Sequence, residues 1–403
     1  MFYEIHNALY KDRSQSEFMV TPIQYVDISG APYERGVQYG TQAAERIRLG
    51  TQHYLTQLAR IDFGMADLAA AVQQYLPSIE KFDPAYPVEM RGIAEGAGVP
   101  FEAIVLINAR TEILQMAKRR AADKGKRKDQ AVDDDPDGCT GVVVMPEAAA
   151  EGRLMHALNW DWKAECAETS VVLRIRRDDG PDILTFTEAG QLARVGMNAA
   201  GIAITANYLE CERDYRQLGV PVALVRRKVL EQARLAIAMQ CIYTTPKSAS
   251  INNILSHAHG IALDFECAPD ETFVVPPSEG LIVHANHWQS PVALGKLIEK
   301  GVATMPDSLY RDIRVRGLLK PQAGQKITRD DLKRALFDKF EWPWSVCRPP
   351  RPSASTNLSA TVAMIVMEPA LGIMEVAMLP ALNPDFTRFA LDMQIQPIEP
   401  VLS

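Results

Sequence analysis

Apolar positions along the chain first recur at helical spacing and then, past residue 139, gather into short strand-length runs. The segment Ile23 to Ile28 reads as a short strand ending at Gly30. A helical pattern runs from Tyr33 to about Ile61 and carries Gly36 and Gly40 four residues apart. That spacing puts both glycines on one face, which fits a close helix–helix contact better than a ligand role. Further helices are expected over Met65 to Tyr75, over Pro84 to Gly96, and from Pro100 through Ile104 and Ile107 to Leu114. Gly96 and Gly98 suit a helix C-cap, and Pro100 suits a first helical turn.

The run Lys118 to Asp137 breaks this texture. It is basic up to Lys128 and acidic from Asp129, with no apolar period, so it reads as an exposed loop. Strands are then expected at Gly141–Met145, Leu154–Trp160, Val171–Arg176, Ile183–Thr187, Ala193–Met197 and Ile202–Tyr208, separated by turns such as Asp178-Asp179-Gly180-Pro181. A helix over Pro221 to about Cys241 precedes strands at Gly260–Cys267, Thr272–Val275 and Leu281–Ala285. Helices at Ser308–Leu319 and after Thr328 lead to closing strands at Ala360–Met367 and Ile373–Ala377. Without strict βαβ alternation this order predicts an α+β fold of antiparallel sheets faced by helices.

Composition narrows the function. The chain has 403 residues, 47% hydrophobic and 23% charged, with a formal charge of −7, which argues against a nucleic-acid partner. No apolar run approaches the ~20 residues of a membrane helix, and no secretory signal is visible at the N-terminus. Six widely spaced cysteines then read as free thiols of a cytoplasmic protein.

One of those thiols stands at the loop-to-strand junction, in Asp137-Gly138-Cys139-Thr140-Gly141. A thiol with an ordinary pKa of about 8.5 needs a base. That base is either a histidine (His156, His257, His259, His284 or His287) or, if the chain cuts itself before Cys139, the new α-amine at pKa ~7.7–8.0. Glycine at 138 leaves its carbonyl open to attack by the thiol. Asn159-Trp160-Asp161-Trp162 ends the strand expected to return beside Cys139, so Asp161 could hold a freed amine. Asn207 and Asn286 end later strands and could donate N–H groups to an oxyanion.

The ordered set Gly138-Cys139-Thr140, Asn159-Trp160-Asp161-Trp162, Gly196-Met197-Asn198, His284-Ala285-Asn286-His287 and Ser345-Val346-Cys347-Arg348 resembles the acyl-coenzyme A:isopenicillin N acyltransferase family of self-processing N-terminal nucleophile hydrolases. Tyr33-Glu34-Arg35-Gly36 and Gly92 to Gly98 resemble its pro-region. More distantly the chain is similar to choloylglycine hydrolases and penicillin V acylases.

The resemblance implies a four-layer αββα sandwich. It divides the chain into a helical pro-region, 1–138, and a catalytic part, 139–403, held together as a heterodimer after cleavage at Gly138–Cys139. A higher homo-oligomer is left open. It also implies a thioester at Cys139, an Asp161 contact to the freed amine, Asn286 in the oxyanion hole, Asn207 as an active-site asparagine, and a catalytic arginine. Arg348 fits that last place, with Arg311 as competitor. The substrate would be a small-molecule amide or acyl donor, with no cofactor, metal or membrane. Pro349, where a histidine commonly follows Cys-Arg, and Leu158, where the bile-salt branch has arginine, depart from the pattern. Three other readings stay open: a Cys–His hydrolase using His284 or His287, a silent binding protein of the same fold, and a metal site of His257, His259, His284 and His287.

Overall fold

Helices α1 (Pro32–Gln42) and α4 (Ala85–Ala97) touch backbone to backbone, and glycine makes this geometrically possible. A Cβ on Gly36 would stand 2.1 Å from the Glu89 carbonyl, and one on Gly40 2.4 Å from that of Ile93. From the other side, a Cβ on Gly92 would meet Tyr33 O at 2.3 Å, and one on Gly96 would meet Val37 O at 2.4 Å. The close contact read from the Gly36/Gly40 spacing is therefore built from two glycines on each helix. The computed structural model describes residues 22–123, 138–320, 324–352 and 358–396.

The other helices of the first part are α2 (Ala44–Arg60), α3 (Met65–Phe82), α5 (Phe101–Asn108) and α6 (Arg110–Asp123). The single helix expected from Tyr33 to Ile61 is thus two, broken at Ala43. Helix α3 runs on through Pro77, past the expected end at Tyr75. Helix α6 absorbs Lys118 to Asp123, the start of the segment expected to be a loop, while residues 124–137 lie outside the described residues.

Two sheets follow. The first has the order β1-β4-β5-β6-β7-β8-β9-β10, from β1 (Gln24–Ile28), β4 (Ser170–Ile175), β5 (Ile183–Glu188), β6 (Val195–Asn198), β7 (Ile202–Tyr208), β8 (Ile251–His257), β9 (Ile261–Cys267) and β10 (Thr272–Val275). The second has the order β11-β2-β3-β13-β14-β15, from β2 (Gly138–Val144), β3 (Met155–Lys163), β11 (Leu281–His284), β13 (Leu358–Glu368), β14 (Ile373–Met378) and β15 (Thr387–Ala390), with β12 (Arg351–Pro352) beside β13. The strand pairs among the described residues are antiparallel, as expected, apart from β1 with β4, which is parallel.

Side-chain alternation along the strands sorts the core into layers. Val171, Leu173 and Ile175 of β4 pack with the helices of the first part, while Val172 between them faces the other sheet. Leu158 and Trp160 of β3 face inward with Cys139, whereas Met155 and Ala157 pack outward on Val315 and Leu332. These last two belong to α11 (Asp307–Leu319) and α12 (Arg329–Leu336). The result is helix, sheet, sheet, helix: an α+β sandwich of four layers. On the first sheet's outer face, α7 (Val222–Leu230) and α8 (Leu235–Thr244) replace the one helix expected over Pro221–Cys241. The short α9 (Pro291–Lys296) and α10 (Gly301–Thr304), and strands β8 and β15, were not anticipated.

Candidate active site

Cys139 lies on β2, buried at the interface of the two sheets. The strand pairs with β3 so that Cys139 stands opposite Trp160 and Gly138 opposite Asp161. On its other side β2 pairs with β11, which brings His284 opposite Gly141 and puts Asn286 just beyond the strand end. The returning strand and the asparagine-bearing strand therefore flank Cys139 from both sides.

Both peptide groups of Cys139 are held. Its N–H donates to Asn286 Oδ1 at 2.9 Å, and its carbonyl accepts from Arg311 Nη1 at 2.7 Å. Arg311, fully buried on α11, also donates to Thr140 Oγ1 at 2.9 Å, to Asn286 Oδ1 at 2.8 Å and to Asp307 Oδ2 at 2.8 Å. Asn286 is fixed further by its own N–H to Ser308 Oγ (2.7 Å) and by Nδ2 to the Tyr208 carbonyl (3.0 Å).

Beside Gly138 sits a second charged pair. Arg348 Nε lies 3.3 Å from Asp161 Oδ2, and Arg348 Nη2 donates to Asp307. Thr361, opposite Asp161 in the β3–β13 register, donates its hydroxyl to Asp161 Oδ1 at 2.6 Å and accepts the Arg348 N–H at 2.8 Å. A Cβ on Gly138 would stand 3.0 Å from Asp161 Oδ2 and 3.3 Å from Arg348 Nη1, so the cluster closes directly over this residue. Burial pushes the Asp161 carboxyl above its ordinary value, with Arg348 and Arg311 pulling the other way. Burial acts on Asp307 too, but the two arginines prevail and hold it below the usual carboxylate range.

Asn207 reaches from the first sheet toward the same strand. Its Nδ2 donates to His284 O at 3.0 Å, and its Oδ1 would lie 3.0 Å from a Cβ on Gly141, two residues beyond Cys139 on the same face. Asp161, Asn207, Asn286, Arg348 and Arg311 are thus all brought around the Gly138–Gly141 segment. Asp307, Ser308 and Thr361 complete the cluster and were missed. Asp307 and Ser308 lie in the helix N-terminus that delivers Arg311, and Thr361 emerges only from strand pairing.

Three of the candidate histidines have hydrogen-bond partners of their own. His284 Nε2 faces Glu266 Oε1 and its Nδ1 faces Ala285 O, both at 2.9 Å. His287 Nδ1 pairs with Ser308 Oγ at 2.8 Å, and burial, with His284 and Arg311 nearby, takes its pKa down to about 4. His156 bonds Ser256 and Thr205, both at 2.8 Å, and burial lowers it to about 3. Among the described residues, no group of three or more His, Cys, Asp or Glu side chains could hold a metal ion. Burial raises the thiol pKa of Cys347 to about 12 and that of Cys211 to about 11, which disfavours both as thiolate nucleophiles.

Aromatic faces beside the cluster carry cations. Arg194 stacks over Trp160 at 4.0 Å and Arg110 of α6 over Trp162 at 4.4 Å. Arg110 donates to Tyr54 Oη at 2.8 Å and pairs with Glu188 at 3.2 Å. Residues on both sides of Gly138 in sequence therefore meet at Trp162.

Comparison with known proteins follows the same lines. The family model described as acyl-coenzyme A:6-aminopenicillanic acid acyl-transferase matches residues 149–378, more than half of the chain. The matched span contains Asp161, Asn207, Asn286, Arg311 and Arg348, and begins after Cys139. The acyl-coenzyme A:6-aminopenicillanic-acid-acyltransferase 40 kDa form of Emericella nidulans is 28% identical over 339 residues, which cover 80% of this chain and 84% of that protein. Similar solved structures include a mutant conjugated bile acid hydrolase from Clostridium perfringens (12% identity, TM-score 0.46, 63% of this chain and 92% of that one). Another is penicillin V acylase from Agrobacterium tumefaciens (16% identity, TM-score 0.42, 63% and 87%).

Proposed function

Because this chain belongs to the acyl-coenzyme A:6-aminopenicillanic acid acyl-transferase family, we propose that it is a self-cleaving cysteine amidohydrolase or acyltransferase with Cys139 as nucleophile. The observation that carries this reading is the hold on Cys139 from both sides, its N–H by Asn286 and its carbonyl by Arg311. A merely structural cysteine at a strand start has no need of a buried arginine and asparagine on its peptide groups.

In the first step the Cys139 thiol attacks the Gly138 carbonyl. The C–N bond breaks, the nitrogen takes the thiol proton, and Gly138 is left as a thioester on Sγ. Water then cleaves the thioester, giving a Gly138 carboxylate, a free thiol and a free α-amine on Cys139. Glycine at 138 fits a position where the Asp161 and Arg348 side chains would crowd a Cβ, at 3.0 and 3.3 Å.

In turnover the α-amine takes the thiol proton as the sulfur attacks a substrate amide, and then passes it to the leaving amine. Asn286 Oδ1 already accepts from this nitrogen and would orient the lone pair. An asparagine amide carries two N–H donors, so Asn286 and Asn207 can each serve a backbone carbonyl and an oxyanion together. Asp161 with Arg348 would hold the ammonium state and the departing Gly138 carboxylate. Water as acceptor gives hydrolysis, and an amine gives acyl transfer. Hydrolysis is favoured because acyl transfer requires water to be excluded. The substrate is then a small-molecule amide or acyl donor, and the fragments 1–138 and 139–403 remain one unit.

The test is substitution of the nucleophile. Cys139→Ala is expected to stay a single full-length chain and to lose turnover on an amide panel. Retained turnover, or two fragments from Cys139→Ala, contradicts the reading. The Cys–His alternative draws no support from the bonding of His284, whose two ring nitrogens face Glu266 and a backbone carbonyl.

A further inference from the structure

We propose that Glu266 is a positioning residue for the Cys139 site: from the first sheet, its carboxylate pins both ends of the loop that carries Asn286, and it does so with His284 locked as an imidazolium. This rests on the reading above, in which Asn286 serves Cys139.

Glu266 lies on β9, fully buried, on the opposite sheet from Asn286. Its Oε1 accepts from His284 Nε2 at 2.9 Å and from the Gln289 N–H at 2.5 Å, and its Oε2 accepts from the Ser290 N–H at 3.0 Å. The loop 285–288 is therefore tied down at the residue before it and at the two residues after it, by one side chain. Three nitrogens thus converge on this one buried carboxylate.

The state of His284 follows from the same geometry. Nε2 faces a carboxylate oxygen and Nδ1 faces the Ala285 carbonyl oxygen, and both of these only accept. Each nitrogen must then carry a proton, so the ring is a cation and has no lone pair to offer Cys139. Asp264, on the same strand as Glu266 and on the same face, adds a second carboxylate toward the ring. His287 stacks on the ring at 6.2 Å, and Asp312, Arg311 and Arg316 of α11 complete the charged surroundings.

Asn286 sits at the centre of the pinned loop and makes the contacts that matter at Cys139. A small displacement of the loop would move Asn286 Oδ1 relative to the Cys139 nitrogen, and displacements of about 1 Å can cost ~10²-fold in rate. The sequence alone shows Glu266 as one acidic residue in an ordinary strand. Only the pairing of the sheets across the interface brings it to the Asn286 loop.

Two measurements test the assignment. In unsubstituted protein, the ring nitrogen shifts of His284 by NMR at pH 7.5 are expected to be those of a doubly protonated imidazolium, and a neutral ring overturns the proposal. In Glu266→Gln, kcat for an amide substrate and the rate of self-cleavage are expected to fall about 10²-fold at unchanged KM. Wild-type kcat in folded Glu266→Gln protein, with only its melting temperature lowered, also overturns it. Loss of the Cys139 reading would show separately, as turnover surviving in Cys139→Ala, and leaves the His284 measurement readable.

Discussion

Cys139 takes its chemical setting from contacts to its peptide groups, with Asn286 on the nitrogen and Arg311 on the carbonyl. His284, once a rival as general base, is a charged structural group whose titration should show in stability. Burial opposes its charge, but Asp264 and Glu266 raise its pKa to about 9, from an ordinary 6.5. Below pH 6.5 the ring is protonated whether the chain is folded or not, so its own titration costs nothing there, while Asp264, which burial raises to about 7, takes up a proton of its own as pH falls. As pH rises from 6.5 to about 9 the unfolded chain gives up a proton that the folded one keeps, and the stabilisation from the charged ring is lost. The stability gap between wild type and His284→Gln, from urea unfolding, is therefore expected to be wider at pH 7 than at pH 9 and to narrow steadily between them. A gap independent of pH would contradict that account. At this scale the sequence was informative where a polar residue stands near the end of a strand-like run, as Asp161, Asn207 and Asn286 do. It was silent on Thr361, Asp307 and Glu266, which reach the site only through pairing or packing of distant segments.

At the scale of elements, the α1–α4 crossing is the feature most sensitive to a single methyl group. A side chain at Gly92 meets a rigid backbone carbonyl at 2.3 Å, so Gly92→Ala is expected to destabilise by about 1–3 kcal/mol or more. Gly317 in α11 has nothing within 4 Å of a Cβ, and Gly317→Ala should instead stabilise by up to ~1 kcal/mol through helix propensity. Equal effects of the two substitutions on thermal unfolding would refute the steric argument. This crossing was legible because four-residue glycine spacing has one simple geometric meaning. Strand β8 was not, because Asn252, Asn253 and Ser256 interrupt its apolar pattern with side chains buried in the sheet. Helix α3 was cut short in the reading because proline usually ends a helix, whereas Pro77 is carried inside this one.

Across the whole molecule, residues on either side of Gly138 form one structure. Strand β1 of the first part extends the sheet of the second through its pairing with β4, and Ile47, Tyr54 and Ile104 share a core with Leu173 and Ile204. Arg110 and Tyr54 of the first part join Glu188 of the second beside Trp162. A cut chain is therefore expected to elute as one particle on native size exclusion and to unfold in one cooperative transition. Separation of the fragments without denaturant would contradict this. The alternation of helical and strand-rich regions made the α+β class readable from sequence. The parallel entry of β1 was hidden, because a short strand carries no mark of the direction of its partner.

In the proposed mechanism Cys139 makes its own general base by cutting the bond to Gly138. Intact mass of the purified, active protein under denaturing conditions tests it most directly. The account predicts two species, ending at Gly138 and beginning at Cys139, whose masses sum to the full chain plus one water. A single full-length species in protein that turns over substrate would contradict it.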